Sequence, residues 1–491
     1  MLLNIEKKSS IPVYRQIITQ IKDLVDYGLI EVGRPLPSTR NLAKDLGVNR
    51  STVSKAYEEL QILGYLKSRP GSYNIVQRRK KEVQYNPERR SKVSWREASS
   101  EAARFLYQCF LEHNSRYSKI EQKTVQKLYN FADLQLDPGL FPVENFRKSM
   151  NKVLLNNGAK ALDFCPPDGN PQLREYIARR LRFHGISASE KEILITYGSQ
   201  QALDLIIRLF VAPGKKVVIE APSYFTMIPL LRFHGMDILT VPMNPGGMDL
   251  DSLEKILKAE TVSFVYTIPN FQNPTGITTS HHHRENLLNL CLQHNVPIVE
   301  DGFDEEMKYS GTVPMPIKSI DESNIVLYLG TFSKILCPGV RVGWITADQE
   351  CINRLISIKQ FTDLRCENVV QATLHFFCEQ GYYDLHIKRL HRIFRRRMEI
   401  AMKTMRECFP PQVEWSKPHG GYIIWVKIPR KLSGQQIHEF MQKNGILITP
   451  GSDFFPEKKP SQYFRVSISR LGEQQIQEGL SRMGKVLYAL C

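Results

Sequence analysis

Six polar side chains stand where short apolar runs of this chain end. Ser199 follows ILITYG, Tyr224 follows VVIEAPS and Asn273 follows FVYTIPNFQ; Asp301 ends PIVED, Thr331 ends NIVLYLGT, and Lys334 closes GTFSK, seven residues before Arg341. Each type suits a chemical task. Gly198, Ser199 and Gln200 open the helical run ALDLIIRLF, so free backbone N–H groups and the Ser199 hydroxyl can hold a phosphate at a helix N-terminus. Thr331 and Arg341 can complete that cup. A carboxylate at the end of a buried strand, Asp301, can keep a pyridine nitrogen protonated, and a pyridinium ring is an electron sink. Lys334 can condense with a carbonyl group. Tyr224 offers a flat face for stacking, and Asn273 an amide for a phenolic oxygen.

The elements that must position these groups are strands. EILITYG, KVVIEAP, DILTVPM, VSFVYTIP, PIVEDG, NIVLYLGTF and RVGWITA are short, continuously apolar and separated by helical stretches. Continuous rather than alternating hydrophobicity marks strands buried on both faces, which predicts an α/β fold with a mostly parallel sheet and helices on either side. Ligands of such sheets bind at the carboxyl ends of the strands. The polar residues named above are predicted to converge on that edge, where they supply the contacts that pyridoxal phosphate requires.

The first part of the chain reads differently. Residues 11–27 place Val13, Ile17, Ile18, Ile21, Leu24 and Val25 on one helical face, and Gly28 ends the run. Ser38 is a good N-cap for a helix with Leu42, Ala43 and Leu46 inward, followed by a tight turn at Gly47. Asn49 or Ser51 starts a third helix with Val53, Ala56, Tyr57 and Leu60 inward, which leaves Arg50, Ser51, Thr52 and Lys55 near its start, free to enter a major groove. GYLKSRPGSYNIV predicts two short strands around a Pro-Gly turn, with Lys67 and Arg69 projecting.

Two resemblances follow from these strings. RPLPSTRNLAKDLGVNRSTVSKAYEELQILGYLKSRPGSY resembles the winged helix-turn-helix of GntR-type bacterial regulators, which implies that Arg40 and Arg50 contact operator DNA. Residues from about 130 to 490 resemble the fold type I aminotransferases, in the series LFP, Gly169 to Arg174, GSQQAL, PSY, QNPTG, ED, TFSK with Arg341, and FRVSIS. That resemblance implies Lys334 as the Schiff-base lysine, Asp301 on the pyridine nitrogen, Asn273 on the 3′-oxygen and Arg465 on the α-carboxylate of a substrate or effector. Joined in this order, the two halves resemble the MocR family of regulators. The implied protein is a head-to-tail homodimer in which pyridoxal phosphate, with an amino acid or amine effector, changes operator binding.

Expected boundaries are 8–77 for the DNA-binding domain, 78–125 for a basic linker and a docking helix, and 126–490 for the cofactor domain with a small C-terminal α+β subdomain. Two positions depart from the families. Phe303 stands where a tyrosine usually donates to the cofactor's 3′-oxygen, and Phe164 where a tyrosine reaches the partner subunit's phosphate. Both lose a hydroxyl without touching Lys334, so binding is expected to outlast turnover. A working transaminase and a sensor that no longer holds cofactor are the competing readings; Phe303 and Phe164 disfavour the first, and the retained Lys334, Asp301, Asn273 and Arg341 the second.

Bulk properties exclude other classes. A chain of 491 residues, 42% apolar and 24% charged, can bury more than one core. Residues 1–92 hold 18 Lys and Arg against 9 Asp and Glu, half of the chain's excess charge of +16 in under a fifth of its length, which points to nucleic acid. No apolar stretch reaches the roughly 18 to 20 residues that span a bilayer, and the start lacks the features of a signal peptide, so a cytoplasmic location is expected. Nine scattered cysteines without a C-x-x-C pair suggest reduced thiols and no zinc site. His281, His282 and His283 read as a solvated helix start with no carboxylate partner evident, and no metal is expected; RIFRRRMEI reads as a solvated helix face.

Overall fold

The structure is a computed structural model and describes residues 3–7, 9–68, 73–77, 93–118, 128–212, 214–311 and 313–490. Arg69 and the basic stretch 78–92 lie outside the described residues. The chain forms two compact units, Met1–Ser94 and Trp95–Cys491.

In the first unit, helix α1 (Val13–Asp26) buries Ile17, Ile18 and Ile21. Helix α2 (Thr39–Leu46) starts where the Ser38 hydroxyl accepts from the Asn41 N–H, and stops at Gly47, whose φ of +59° is a left-handed conformation that suits glycine. Asn49 caps helix α3 (Arg50–Ile62), accepting from the Ser51 N–H. Ile17, Ile21, Leu42, Val53, Ala56 and Leu60 form the shared core. Strands β1 (Leu66–Ser68) and β2 (Asn74–Val76) pair antiparallel, with Lys67 opposite Ile75. Three helices and a two-stranded wing result, in the predicted order.

The second unit opens with a four-residue helical turn at Trp95–Ala98 and helix α4 (Glu101–Ser118), where sequence periodicity had suggested one helix. The break falls at Ser100, whose hydroxyl caps the second segment by accepting from the Ala103 N–H at 3.1 Å. Helix α4 packs on the helix Met227–Phe233, with Arg232 over the Phe105 ring.

An eight-stranded sheet organises the rest. Its strands are β3 (Ile193–Thr196), β4 (Lys216–Ala221), β5 (Asp237–Asn244), β6 (Gly247–Met248), β7 (Val262–Thr267), β8 (Ile298–Asp301), β9 (Val326–Thr331) and β10 (Gly343–Thr346), in the spatial order β3-β10-β9-β8-β7-β4-β5-β6. Strands β9, β8, β7, β4 and β5 run parallel, while β10 is antiparallel to both its neighbours and β6 to β5. The period-two pattern divides the core: Val217, Ile219, Phe264 and Tyr266 face one hydrophobic cluster, and Val218 and Val265 the other. Both faces are covered, which is why the middles of these strands are apolar on both sides. A smaller antiparallel sheet of β11 (Glu414–Trp415), β12 (Ile423–Leu432), β13 (Thr449–Pro450) and β14 (Ser461–Ser467) carries Arg465 on β14.

The expectation of a wholly solvated face over RIFRRRMEI fails at Arg397. In the helix Tyr382–Cys408, Arg397 is buried, 2.7 Å from Asp137 and donating to the Ser469 carbonyl. Asp137 neutralises it there. His281 and His282 are exposed at a helix start, but a carboxylate does stand beside them: Glu285 is 3.4 and 3.9 Å away. His283 instead lies 2.9 Å from the Met248 carbonyl. Among the described residues no group of three or more potential metal ligands comes together, and no helix is long and apolar enough to cross a membrane.

Candidate functional site

The parallel strands deliver their C-terminal ends to one edge. Asp301 is the last residue of β8 and Thr331 the last of β9; Tyr224 follows β4, Asn273 follows β7, and Ser199 follows β3. Because β10 is antiparallel, Arg341, two residues before its start, arrives at the same edge. Leu134, Ser199, Tyr224, Asn273, Asp301 and Lys334 line one cavity there. A second, of about 140 Å³, shares Tyr224 and Lys334 and extends to Asp133, Asp453 and Arg465.

Asp301 is buried, and its carboxylate accepts from the Tyr266 hydroxyl at 2.8 Å and the Phe303 N–H at 3.1 Å. Burial outweighs these bonds and the charge of Lys334, raising its pKa to about 6. The pocket thus holds an anion that lacks a full countercharge, which is the need a protonated ring nitrogen meets. Burial also lowers the pKa of Lys334, opposed chiefly by the carboxylate of Asp304. Asp304 is itself buried, and among the described residues neither of its oxygens has a hydrogen bond; the nearby Tyr422 phenol falls outside hydrogen-bonding geometry. Desolvation raises the Asp304 pKa to about 7, against the pull of Tyr422 and Lys334.

The wall around Ser199 is built on backbone. Helix α5 (Ser199–Phe210) begins after Gly198, whose φ is +82°. The positive φ favours glycine, and a Cβ there would sit 3.0 Å from Arg341 Nη2, so that a side chain would also push the guanidinium aside. Arg341 is anchored by donating to the Tyr197 carbonyl at 2.6 Å. The Thr331 hydroxyl is engaged within its own turn, donating to the Val342 carbonyl and accepting from the Ser333 N–H. The Ser333 hydroxyl, by contrast, is buried without a hydrogen-bond partner among the described residues. Gln200 accepts from the Thr226 hydroxyl, away from the cup.

On the opposite wall Arg465 is buried, donating to Asn273 Oδ1 at 2.9 Å and to the Ala132 carbonyl at 2.7 Å. The first bond orients the Asn273 amide so that its NH₂ is left for another acceptor. Phe303 lines the inner cavity and presents no polar atom. Phe164 is 69% exposed and belongs to no cavity wall of its own chain described here.

Sequence reasoning missed Tyr266, Ser333 and Asp304. Tyr266 lies in a mostly apolar strand, where only its register beside β8 makes it a partner of Asp301. Ser333 was within the TFSK string, and its neighbour Thr331 carried the expectation instead.

In the smaller unit Arg40, Arg50, Ser51 and Lys67 are exposed, and Thr52 is half-buried. Arg50 Nε donates to the Thr39 hydroxyl at 3.4 Å, which ties the start of α3 to the start of α2. Lys55, also exposed, lies 4.2 Å over the Tyr14 ring and so leans toward α1.

Comparison with known proteins accounts for both units. Residues 130–483 match the aminotransferase class I and II family and residues 13–73 the gntR family of bacterial regulatory proteins. The chain is 31% identical over 490 residues to the HTH-type transcriptional regulator YdfD of Bacillus subtilis, covering 99% of this chain and 98% of that one. It belongs to the MocR family of GntR-type regulators. The second unit of this MocR protein is also 36% identical to aromatic-amino-acid aminotransferase 1 of Thermococcus litoralis, over 71% of this chain and 85% of that one. Among solved structures, Pyrococcus horikoshii kynurenine aminotransferase superposes with a TM-score of 0.72 at 33% identity, covering 77% of this chain and 94% of that one. The cofactor of this fold is pyridoxal phosphate. The orphaned Ser333 hydroxyl, the glycine cradle under Arg341 and the under-compensated Asp301 fit it.

Proposed function

We propose that this MocR regulator senses an amino compound in its aminotransferase-like unit and reports it through operator binding. The observation that carries the proposal is one chain holding both an exposed basic helix start and a buried site fitted to pyridoxal phosphate. In this reading Ser199, Ser333, Arg341 and the N–H groups of α5 hold the phosphate, Tyr224 stacks on the ring and Asn273 faces the 3′-oxygen. Asp301 keeps a proton on the ring nitrogen, with Tyr266 fixing the carboxylate in place. When bound, the cofactor supplies an electron-poor ring and a carbonyl carbon for amines. Lys334 lends the amine that anchors it, and burial keeps that amine closer to its neutral, nucleophilic form.

Arg465 then meets the effector's carboxylate, since a guanidinium fork matches it bidentately. Arg40, Arg50, Ser51 and Lys67 meet DNA. The protein acts in the cytoplasm as a head-to-tail homodimer, in which Phe164, exposed on a single chain, faces the partner subunit. A second reading, a working transaminase, is favoured by the relatives named above and opposed by Phe303, which offers no hydroxyl to the 3′-oxygen.

The test is to footprint DNA with the full chain and follow its assembly by sedimentation. Protection of a discrete site with twofold-related halves by a dimer supports the reading; uniform protection, or a monomer that protects nothing, contradicts it.

A further inference from the structure

Cys165 and Cys366 lie directly opposite one another in an isolated antiparallel bridge, where the Cys165 N–H donates to the Cys366 carbonyl at 3.2 Å. Hydrogen-bonded antiparallel partners have Cα atoms about 5.5 Å apart, within the span of a disulfide. Both thiols are reduced and buried, at 3% and 2% exposure. Each adjoins in sequence a residue that is exposed on the single chain, Phe164 for Cys165 and Arg365 for Cys366.

The third member is Lys359, on the helix Gln349–Asp363. It is 1% exposed, and its Nζ lies 2.7 Å from Cys366 Sγ and 3.2 Å from the Pro167 carbonyl. Asp363 stands farther off, at 3.6 Å, and already accepts from Gln201 at 2.6 Å. A buried ammonium requires close anionic partners; the Asp363 carboxylate is one, and the Cys366 sulfur lies nearer still. The Cys165 thiol facing Cys366 and the Lys359 charge together draw its pKa down to about 6 despite burial. Cys165 is pushed up, chiefly by its sulfur facing that of Cys366 and then by burial. A nucleophilic sulfur beside a lysine ammonium and facing a resolving thiol is the arrangement such a pair requires.

We infer that Cys366 and Cys165 form an oxidisable pair whose substrate is a small hydroperoxide, with Lys359 as the residue that holds the Cys366 thiolate. With hydrogen peroxide as that hydroperoxide, the thiolate attacks one oxygen; the O–O bond breaks, the leaving oxygen takes a proton and departs as water, and Cys366 becomes a sulfenic acid. The Cys165 thiol then attacks that sulfur, losing its proton as the S–O bond breaks, and a second water leaves. The sulfurs lose two electrons and the peroxide gains them. Disulfide formation removes the anion facing Lys359, which also lies over the Tyr197 ring, and Tyr197 is the residue whose carbonyl holds Arg341.

The experiment exposes the full chain to a few equivalents of hydrogen peroxide at pH 7, followed by alkylation and peptide mass spectrometry without reductant. The expected product is a Cys165–Cys366 linked peptide, lighter by two hydrogens and reversed by dithiothreitol, while Cys291 and Cys378 stay unmodified. In Lys359→Met the linked peptide should form about tenfold or more slowly, as the thiolate fraction falls. Alkylation of Cys366 in the wild-type protein gives a second readout that needs no variant, and its rate should titrate with a midpoint below pH 7. Absence of the linked peptide, or an alkylation midpoint above pH 8, overturns the inference. Equal rates in wild type and a folded Lys359→Met overturn the role of Lys359.

Discussion

The two units of this regulator use charge in opposite ways. In the first, Arg40, Arg50 and Lys67 are exposed and make few contacts with their own domain. In the second, Asp301, Asp304, Lys334 and Arg465 are removed from water, and burial shifts the first three toward their neutral forms. Exposed charges act by number against a polyanion and are screened by salt. Buried ones act singly, because each has one partner to meet and a large desolvation cost if that partner is missing. Single substitutions should therefore be graded in the first unit and close to all-or-none in the second.

The largest effect is expected at Lys334. Lys334→Ala should abolish borohydride-fixable attachment of pyridoxal phosphate while leaving the far-ultraviolet circular dichroism unchanged. A cofactor adduct fixed at wild-type level in the variant would remove Lys334 from its place.

Next comes the graded side of the contrast. Arg50→Ala should weaken specific operator binding by about 1 to 3 kcal/mol if it reads a base edge, whereas Lys67→Ala should act equally on all sequences and lower the salt slope by about one. Unchanged operator affinity in Arg50→Ala excludes base reading by that residue. Cofactor affinity measured across the same salt series should move far less than operator affinity, and a parallel fall in both would break the distinction between the two sites.

Phe303→Tyr sharpens the account of the buried site. Restoring a phenol beside the 3′-oxygen should raise amino-group transfer to a keto acid by about tenfold or more, judged from donors of the oxyanion type, with little change in cofactor affinity. Stopped-flow absorbance measures the first and equilibrium dialysis the second. Wild-type turnover already in the ordinary enzyme range of roughly 1 to 1000 per second would instead favour the transaminase reading.

The smallest effect is on stability. Asp301 and Asp304 have folded pKa values of about 6 and about 7, above their ordinary 3.8, and Glu220 and Glu300 about 7 against 4.5. Groups so raised bind protons more tightly when folded, so the stability they contribute is full below about pH 4 and lost as pH rises through 6 to 7. Glu306, lowered to about 2 by His184 and Arg180 against its burial, titrates below that window and leaves it undisturbed. The melting temperature of cofactor-free protein should fall between pH 5.5 and 8, and Asp304→Asn should flatten that slope; an identical slope in the variant would show that Asp304 does not titrate there.

The same contrast explains how much could be read from sequence. Strand ends are visible in hydropathy, so Asp301, Lys334 and Asn273 could be placed on one edge before any coordinates, and caps such as Ser38 and Asn49 announce their helices by type and position. Pairings distant in sequence leave no such trace. Tyr266 meets Asp301 only because β7 lies beside β8, Arg397 meets Asp137 across 260 residues, and Cys165 faces Cys366 across 201. Asp304 was hidden for a different reason: next to Phe303 in a run of acids it reads as surface charge, and only its burial gives it meaning.

The account stands on coupling between the buried site and DNA, and a binding cycle measures it directly. Operator affinity of the full chain is determined by fluorescence anisotropy without cofactor, with pyridoxal phosphate, and with pyridoxal phosphate plus each member of a panel of amino acids and amines; cofactor affinity is determined with and without operator. The account predicts that the cofactor, alone or with one panel member, changes operator affinity by about 5- to 150-fold, that operator changes cofactor affinity by the same factor under the same conditions, and that Lys334→Ala loses both. One operator affinity throughout, indifferent to cofactor and to every amine, would contradict it.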